Sequence, residues 1–120
     1  MTLQTITELL HADIVWLDQS HEIDIQVAKA SDLMSDVLRF SGPGKLLITG
    51  LTNTHTVRTC DIAGIKAIVF ARGKKPGPEV IELGKEAAIA LLTTNLSMFE
   101  ACGILYTHGI RGVQINQKPA

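Results

Sequence analysis

Three short apolar runs recur at intervals of about 20 residues: Lys45-Leu46-Leu47-Ile48-Thr49, Lys66-Ala67-Ile68-Val69-Phe70 and Ile89-Ala90-Leu91-Leu92-Thr93. Each is followed by a polar loop and then by apolar positions at helical spacing. Runs that are apolar throughout, rather than alternating, suit strands covered on both faces, and helical crossovers make neighbouring strands parallel with right-handed connections. The pattern therefore predicts β-α repeated three times. Pro78 near the start of one helix and Gly64 just past the end of another follow the tendency of helices to begin with proline and end with glycine.

The first 44 residues are less regular. Thr5-Ile6-Thr7-Glu8 has the spacing of a capping box and predicts a helix starting there and ending near His11. Ala12 to Leu17 reads as an apolar β run, and Ile23, Ile25 and Val27 alternate with Asp24 and Gln26 as in a half-buried strand. Ser31 is placed to cap a helix whose Leu33, Met34, Val37 and Leu38 share one face, and Ser41-Gly42-Pro43-Gly44 stops it. The stretch 112–120 is a polar tail with room for one short strand. The expected fold is a single small α/β domain over residues 1–120, with a mostly parallel or mixed sheet flanked by helices.

Composition narrows the function classes. Hydrophobic residues make up 46% of the 120 residues, enough to fold and enough to suggest that some apolar surface is hidden against a second copy of the chain. Lys and Arg total 11 against 12 Asp and Glu, so the basic footprint of a nucleic-acid binder is absent, and 4% aromatics cannot form a base-stacking platform. No run approaches the ~18 apolar residues of a membrane span, and there is no secretory leader pattern. Cys60 and Cys102 are far apart and read as free, buried thiols. These features point to the cytoplasm, with neither nucleic acid nor membrane as a partner.

Candidate chemistry concentrates in the loops after the three apolar strands, because in parallel α/β sheets ligands gather beyond the strand carboxyl ends. The first loop, Gly50 to Thr56, brings Thr52, Asn53, Thr54 and His55 to a helix start. The second, Ala71 to Pro78, brings Arg72, Gly73, Lys74 and Lys75, cations and glycine suited to a phosphate or carboxylate. The third offers Thr94, Asn95 and Ser97. Thr and Asn in such places are also simple helix caps, so only their convergence on one rim favours a ligand site.

Other motifs are weaker. Gly42-Pro43-Gly44-Lys45 lacks the spacing of a phosphate loop and precedes a strand, so it reads as a turn. His11, His21, His55 and His108 have neither the spacing nor the company of carboxylates or thiolates for a metal, and no metal or cofactor is expected. Cys60 and His55 stand five positions apart on one helix and point away from each other. No nucleophile with a base and an orienting group is visible.

The strand Leu46 to Thr49, the loop Gly50 to Thr56, the run Gly64 to Phe70 and Gly73-Lys74-Lys75-Pro76-Gly77-Pro78-Glu79-Val80 together resemble the DRTGG domain family. The likeness runs from about Thr5 to about Val113, over a core of 5–113 with 114–120 as tail. Thr52-Asn53 stand where the family has Asp-Arg, His55 stands near a usual acidic residue, and Ala71-Arg72-Gly73 replace Thr-Gly-Gly, keeping the last glycine. The family is similar to the N-terminal domain of HPr kinase/phosphorylase, which implies an α/β fold. It also implies a regulatory or assembly module, since such domains accompany phosphate acetyltransferases and CBS-containing pyrophosphatases without being the catalytic unit.

The leading expectation is a non-catalytic, homodimeric regulatory domain that senses a small anionic ligand or nucleotide, or contacts another protein, through Thr52 to His55, Arg72 to Lys75 and Asn95. One alternative is a small hydrolase or transferase using His55 with Arg72. Another is a transcription-associated protein without direct DNA contact.

Overall fold

A computed structural model describes residues 1–20, 22–40 and 42–112. Helix α1 (Leu3–Leu9) is followed by β1 (Asp13–Trp16), β2 (Val27–Ala30), α2 (Met34–Leu38) and β3 (Lys45–Thr49). Then come α3 (Thr54–Ala63), β4 (Ala67–Phe70), α4 (Pro78–Ala87), β5 (Ala90–Thr93) and α5 (Met98–Thr107). The five strands form one mixed sheet in the order β1-β5-β4-β3-β2, with β2 to β5 parallel and β1 antiparallel to β5.

The three apolar runs are the three central strands, and their burial explains why they are apolar throughout. Strands β4 and β5 are buried at every position and β3 at all but Lys45. Side chains alternate across the sheet, and each face has its own core. Leu46, Ile48, Ala67, Val69, Ala90 and Leu92 pack with α1 and α5, while Leu47, Ile68, Phe70 and Leu91 pack with α2, α3 and α4. Because β2 to β5 succeed one another in a single direction, right-handed crossovers put α2, α3 and α4 on one face. The result is three layers, with three helices above the sheet and two below.

The helix ends of this repeat follow the sequence signals. Asn53 caps α3, Gly64 closes it with φ 74, and Pro78 is the first residue of α4. Lys45 opens β3, and its ammonium donates to the carbonyls of Phe40, at 3.0 Å, and Ala63. That places a cation on carbonyls at the ends of α2 and α3, where the helix dipole favours it.

The N-terminal third differs from the sequence reading in three places. Helix α1 starts at Leu3, not Thr5, because the Thr2 hydroxyl accepts the Thr5 N–H at 3.2 Å, and Leu3, Ile6 and Leu10 then fall on the buried face. The alternation from Ile23 to Val27 is real, but its first half pairs outside the sheet. Thr2 bridges Asp24 in antiparallel fashion, and Leu3 N–H and Ile25 N–H bond to Ile23 and Met1 carbonyls, so the strand itself begins at Val27. Ser31 does not cap α2: its hydroxyl accepts the Leu33 N–H at 3.0 Å in a tight turn, and the helix is so short that Leu33 and Leu38 stay exposed while Met34 and Val37 are buried. The expected last strand within 112–120 lies almost wholly outside the described residues, although Arg111 bridges Val27 in parallel.

Helix α4 packs tightly on the sheet at Gly84, where a Cβ would stand 2.7 Å from Leu91 Cδ1, a side chain with no exposure. Replacing Gly84 with valine is expected to destabilise the fold by about 1–3 kcal/mol through overpacking, read as a lower urea midpoint at unchanged slope.

Candidate functional site

The parallel strands β2 to β5 all end at one rim of the sheet, so the segments that leave them meet there. Those after β2, β3 and β4 turn toward the α2–α4 layer, and the one after β5 turns toward α5. The chain thus parts between β4 and β5, the kind of place where open α/β sheets form a crevice for ligands. Backbone bonds draw the two sides together. Arg72 N–H donates to the Leu96 carbonyl and Gly73 N–H to the Thr94 carbonyl, both at 2.8 Å. A Cβ on Gly73 would lie 3.1 Å from Asn95 Oδ1, so the second and third loops are in contact.

Arg72 then reaches the first loop. Its backbone is left-handed, with φ 61, a conformation that costs a non-glycine residue of order 1–3 kcal/mol. His11 and Ala88 adopt it too, both just beyond helix ends, so strain alone does not mark a site. Its consequence at Arg72 is directional: the guanidinium lies over Gly50, filling the space a Gly50 Cβ would take, with Nη2 3.8 Å from Asp32 Oδ2. Arg72, Gly73, Gly50 and Asn95 therefore form a continuous patch.

Asp32, which the sequence reading passed over, completes it. One carboxylate oxygen, Oδ1, accepts the Thr49 hydroxyl and the Gly50 N–H, both at 2.8 Å. The Gly50 N–H holds the Asp32 carboxyl below its ordinary value of 3.8, helped by the Thr49 hydroxyl and the Arg72 charge and opposed by partial burial. Asp32 stands two residues beyond β2, as Gly50 and Arg72 stand just beyond β3 and β4. Had the strand been read as Val27 to Ala30, the Ser31-Asp32 pair would have appeared as the first of four strand-end loops.

The other candidates divide between structural and available groups. Asn53 Oδ1 accepts the Thr56 N–H at 2.9 Å and the Thr56 hydroxyl at 3.1 Å, so its carbonyl oxygen serves as a helix cap. Thr52 and Thr54 are half-buried, and Thr54 Oγ1 accepts Arg58 Nη1 at 3.4 Å. His55 is exposed and has no hydrogen-bonding or ionic partner among the described residues, while Cys60 on the same helix is buried. Lys74 and Lys75 are exposed, and neither ammonium is paired among the described residues. In the third loop Thr94 donates to the Leu10 carbonyl at 2.7 Å and Ser97 caps α5 by accepting the Glu100 N–H at 3.1 Å, while the exposed Asn95 side chain takes no part in these bonds.

At the rim Asp32, Arg72, Gly73, Lys74, Lys75 and Asn95 are all exposed. Two concavities of about 370 and 350 Å³ lie away from it. The first is lined by Leu17, Asp18, Glu22 and the start of α1, the second by Asp24 and the residues before β3, β4 and β5, including Gly44, Lys66 and Ala88. No helix among the described residues is long and apolar enough to cross a membrane, and no group of three or more His, Cys, Asp and Glu side chains among them could hold a metal. Burial pushes the Cys60 thiol up to about 12 and raises that of Cys102, which is half-buried and not fully buried as its sequence context suggested.

Because the Asp32 carboxyl is held below 3.8, its contribution to stability is fully present above that value and is lost as pH falls through the lowered folded value. Acid unfolding followed by circular dichroism should therefore be shallower in Asp32→Asn over that range. Replacement of Asn53 by alanine should cost about 1 kcal/mol through loss of the cap, seen as a lower urea midpoint. Ellman titration of the native protein should modify Cys102 ahead of Cys60.

No protein-family model matches this chain, and no curated protein matches it. Among solved structures it is similar to the CBS and DRTGG domains of the regulatory region of Clostridium perfringens pyrophosphatase, crystallised with its activator diadenosine tetraphosphate. The TM-score is 0.74 at 19% sequence identity, over 87% of this chain and 45% of that one. The chain thus spans less than half the length of that structure, and at this identity the likeness is one of fold.

Proposed function

We propose that the chain is a regulatory domain of the DRTGG type, without catalysis of its own, that senses a small anionic ligand at the rim beyond β2 to β5. The observation that carries this reading is the meeting of strand-end loops around Gly50, Gly73 and Asn95, with Arg72 laid across them and Lys74 and Lys75 unpaired among the described residues. Cations of this kind suit phosphate or carboxylate oxygens. The similarity of fold to a regulatory region crystallised with a nucleotide activator supports a nucleotide as one form of that ligand. Thr52, Thr54 and His55 border the same rim and are assigned to its outer contacts, with Asn53 holding the loop as a cap.

The acting unit in this proposal is a homodimer in the cytoplasm. Phe99 is 84% exposed and Tyr106 60% exposed on α5, seven residues apart and so on one side of the helix. Apolar side chains so placed supply surface for a second copy.

Thermal-shift measurements against nucleotides and phosphorylated metabolites test the ligand. A ligand at 100 times its Kd adds about 2.7 kcal/mol to native stability, and the resulting rise in Tm is expected to vanish in a Lys74→Ala/Lys75→Ala variant. No shift with any anion would defeat the sensing role and leave a protein-interaction role. Size-exclusion chromatography with light scattering is expected to give a dimer that Phe99→Glu converts to monomer, and a monomer at every concentration would defeat the assembly.

A further inference from the structure

We infer that the Thr49 hydroxyl, the Gly50 N–H and the Arg72 guanidinium form an oxyanion site that the Asp32 carboxylate fills from within the chain, and that a ligand's acidic group takes this site by exchange with Asp32. The inference rests on reading the rim as anion-binding and deepens it by naming where the acidic group seats and what must leave.

The donor set is what oxyanion recognition requires: a backbone N–H, a hydroxyl and a guanidinium aimed at one carboxylate. Two of the bonds are 2.8 Å long and the cation stands at 3.8 Å. The two partners are held very differently. Thr49 and Gly50 are buried at the end of a central strand, so their donors are fixed. Asp32 is exposed, its side chain at 41%, and sits between an edge strand and the five-residue helix α2, which has no side-chain cap. Against the fixed Thr49 and Gly50 donors, the carboxylate and the Arg72 guanidinium, its side chain 51% exposed, are the members free to move.

Because the fold holds that carboxylate beside its donors, it meets them with no loss of translational freedom, so simple monoacids compete poorly. A ligand that adds a second negative group within reach of Lys74 and Lys75 gains what a lone carboxylate lacks. The favoured class is thus a phosphorylated or otherwise polyanionic small molecule.

Chemical rescue tests the exchange. Asp32→Ala is titrated with formate, acetate and inorganic phosphate against chloride at equal ionic strength, reading Tm and the Gly50 amide cross-peak in ¹H–¹⁵N spectra. The expected result is a saturable Gly50 shift and a Tm rise in Asp32→Ala at concentrations at least ten-fold lower than in the native chain, both lost on adding Arg72→Ala. A stronger response to phosphate than to formate identifies a tetrahedral head group, and the reverse a carboxylate. If Asp32→Ala does not fold, Asp32→Asn serves, with the same expected ordering. No response beyond chloride in the variant overturns the inference. Equal responses in variant and native chain overturn exchange while leaving the rim as an anion site, and rescue without any hit in the metabolite screen leaves the exchange site and removes the sensing role.

Discussion

Burial of the central strands on both faces is the constraint from which the rest follows. Strands β3, β4 and β5 have almost no exposed position, so every backbone group in them must pair within the sheet and every side chain must meet a helix. Parallel pairing satisfies the first demand and requires a crossover between each pair of strands, and the crossover helices satisfy the second. Because the strands are laid down in one direction, α2, α3 and α4 share one face, and the opposite face is left to α1 and α5. Gly84 shows how tight the resulting layers are, since even a methyl group there would meet Leu91.

The same order of strands builds the rim. Parallel strands end together, so loops distant in sequence are forced into one place, and the turn of the chain toward α5 after β5 leaves Asn95 facing the loop of Arg72 and Gly73. Polar groups that end buried strands need partners, and they find them across loops. Thr49 donates to Asp32, Thr94 donates to Leu10, and the N–H groups of Arg72 and Gly73 donate to carbonyls beyond β5. Much of the polarity that looked like ligand chemistry is spent on this cohesion, as Asn53, Thr94 and Ser97 demonstrate. The cations differ, because the Lys74 and Lys75 ammonium groups find no charged partner among the described residues and the Arg72 guanidinium only a distant one.

Local signals in the repeat were legible because each is decided within a few residues. Pro78 has no N–H to lose at a helix start, Gly64 tolerates a left-handed φ, and an apolar run of four or five residues between polar loops suits a covered strand whatever lies around it. The N-terminal third was less legible because its hydrogen bonds are made at long range. Ile23 and Ile25 alternate as a strand should, yet their partners are residues 1 to 3, and nothing near them in sequence says so. Asp32 was overlooked for the same reason: its role depends on a hydroxyl and an N–H that are 17 and 18 residues away.

By itself the sequence determined a small α/β fold with three apolar strands, the helices between them and the loops that carry the cations, since hydrophobic periodicity, caps and turn residues act over a single turn or strand. Only the tertiary structure decided that β1 pairs antiparallel with β5, that α2 leaves two leucines exposed, and that Asp32, Gly50, Arg72 and Asn95 share one patch. Those outcomes depend on which backbone donors and acceptors meet across the sheet. That is settled by the packing of distant segments and leaves no mark in the residues on either side.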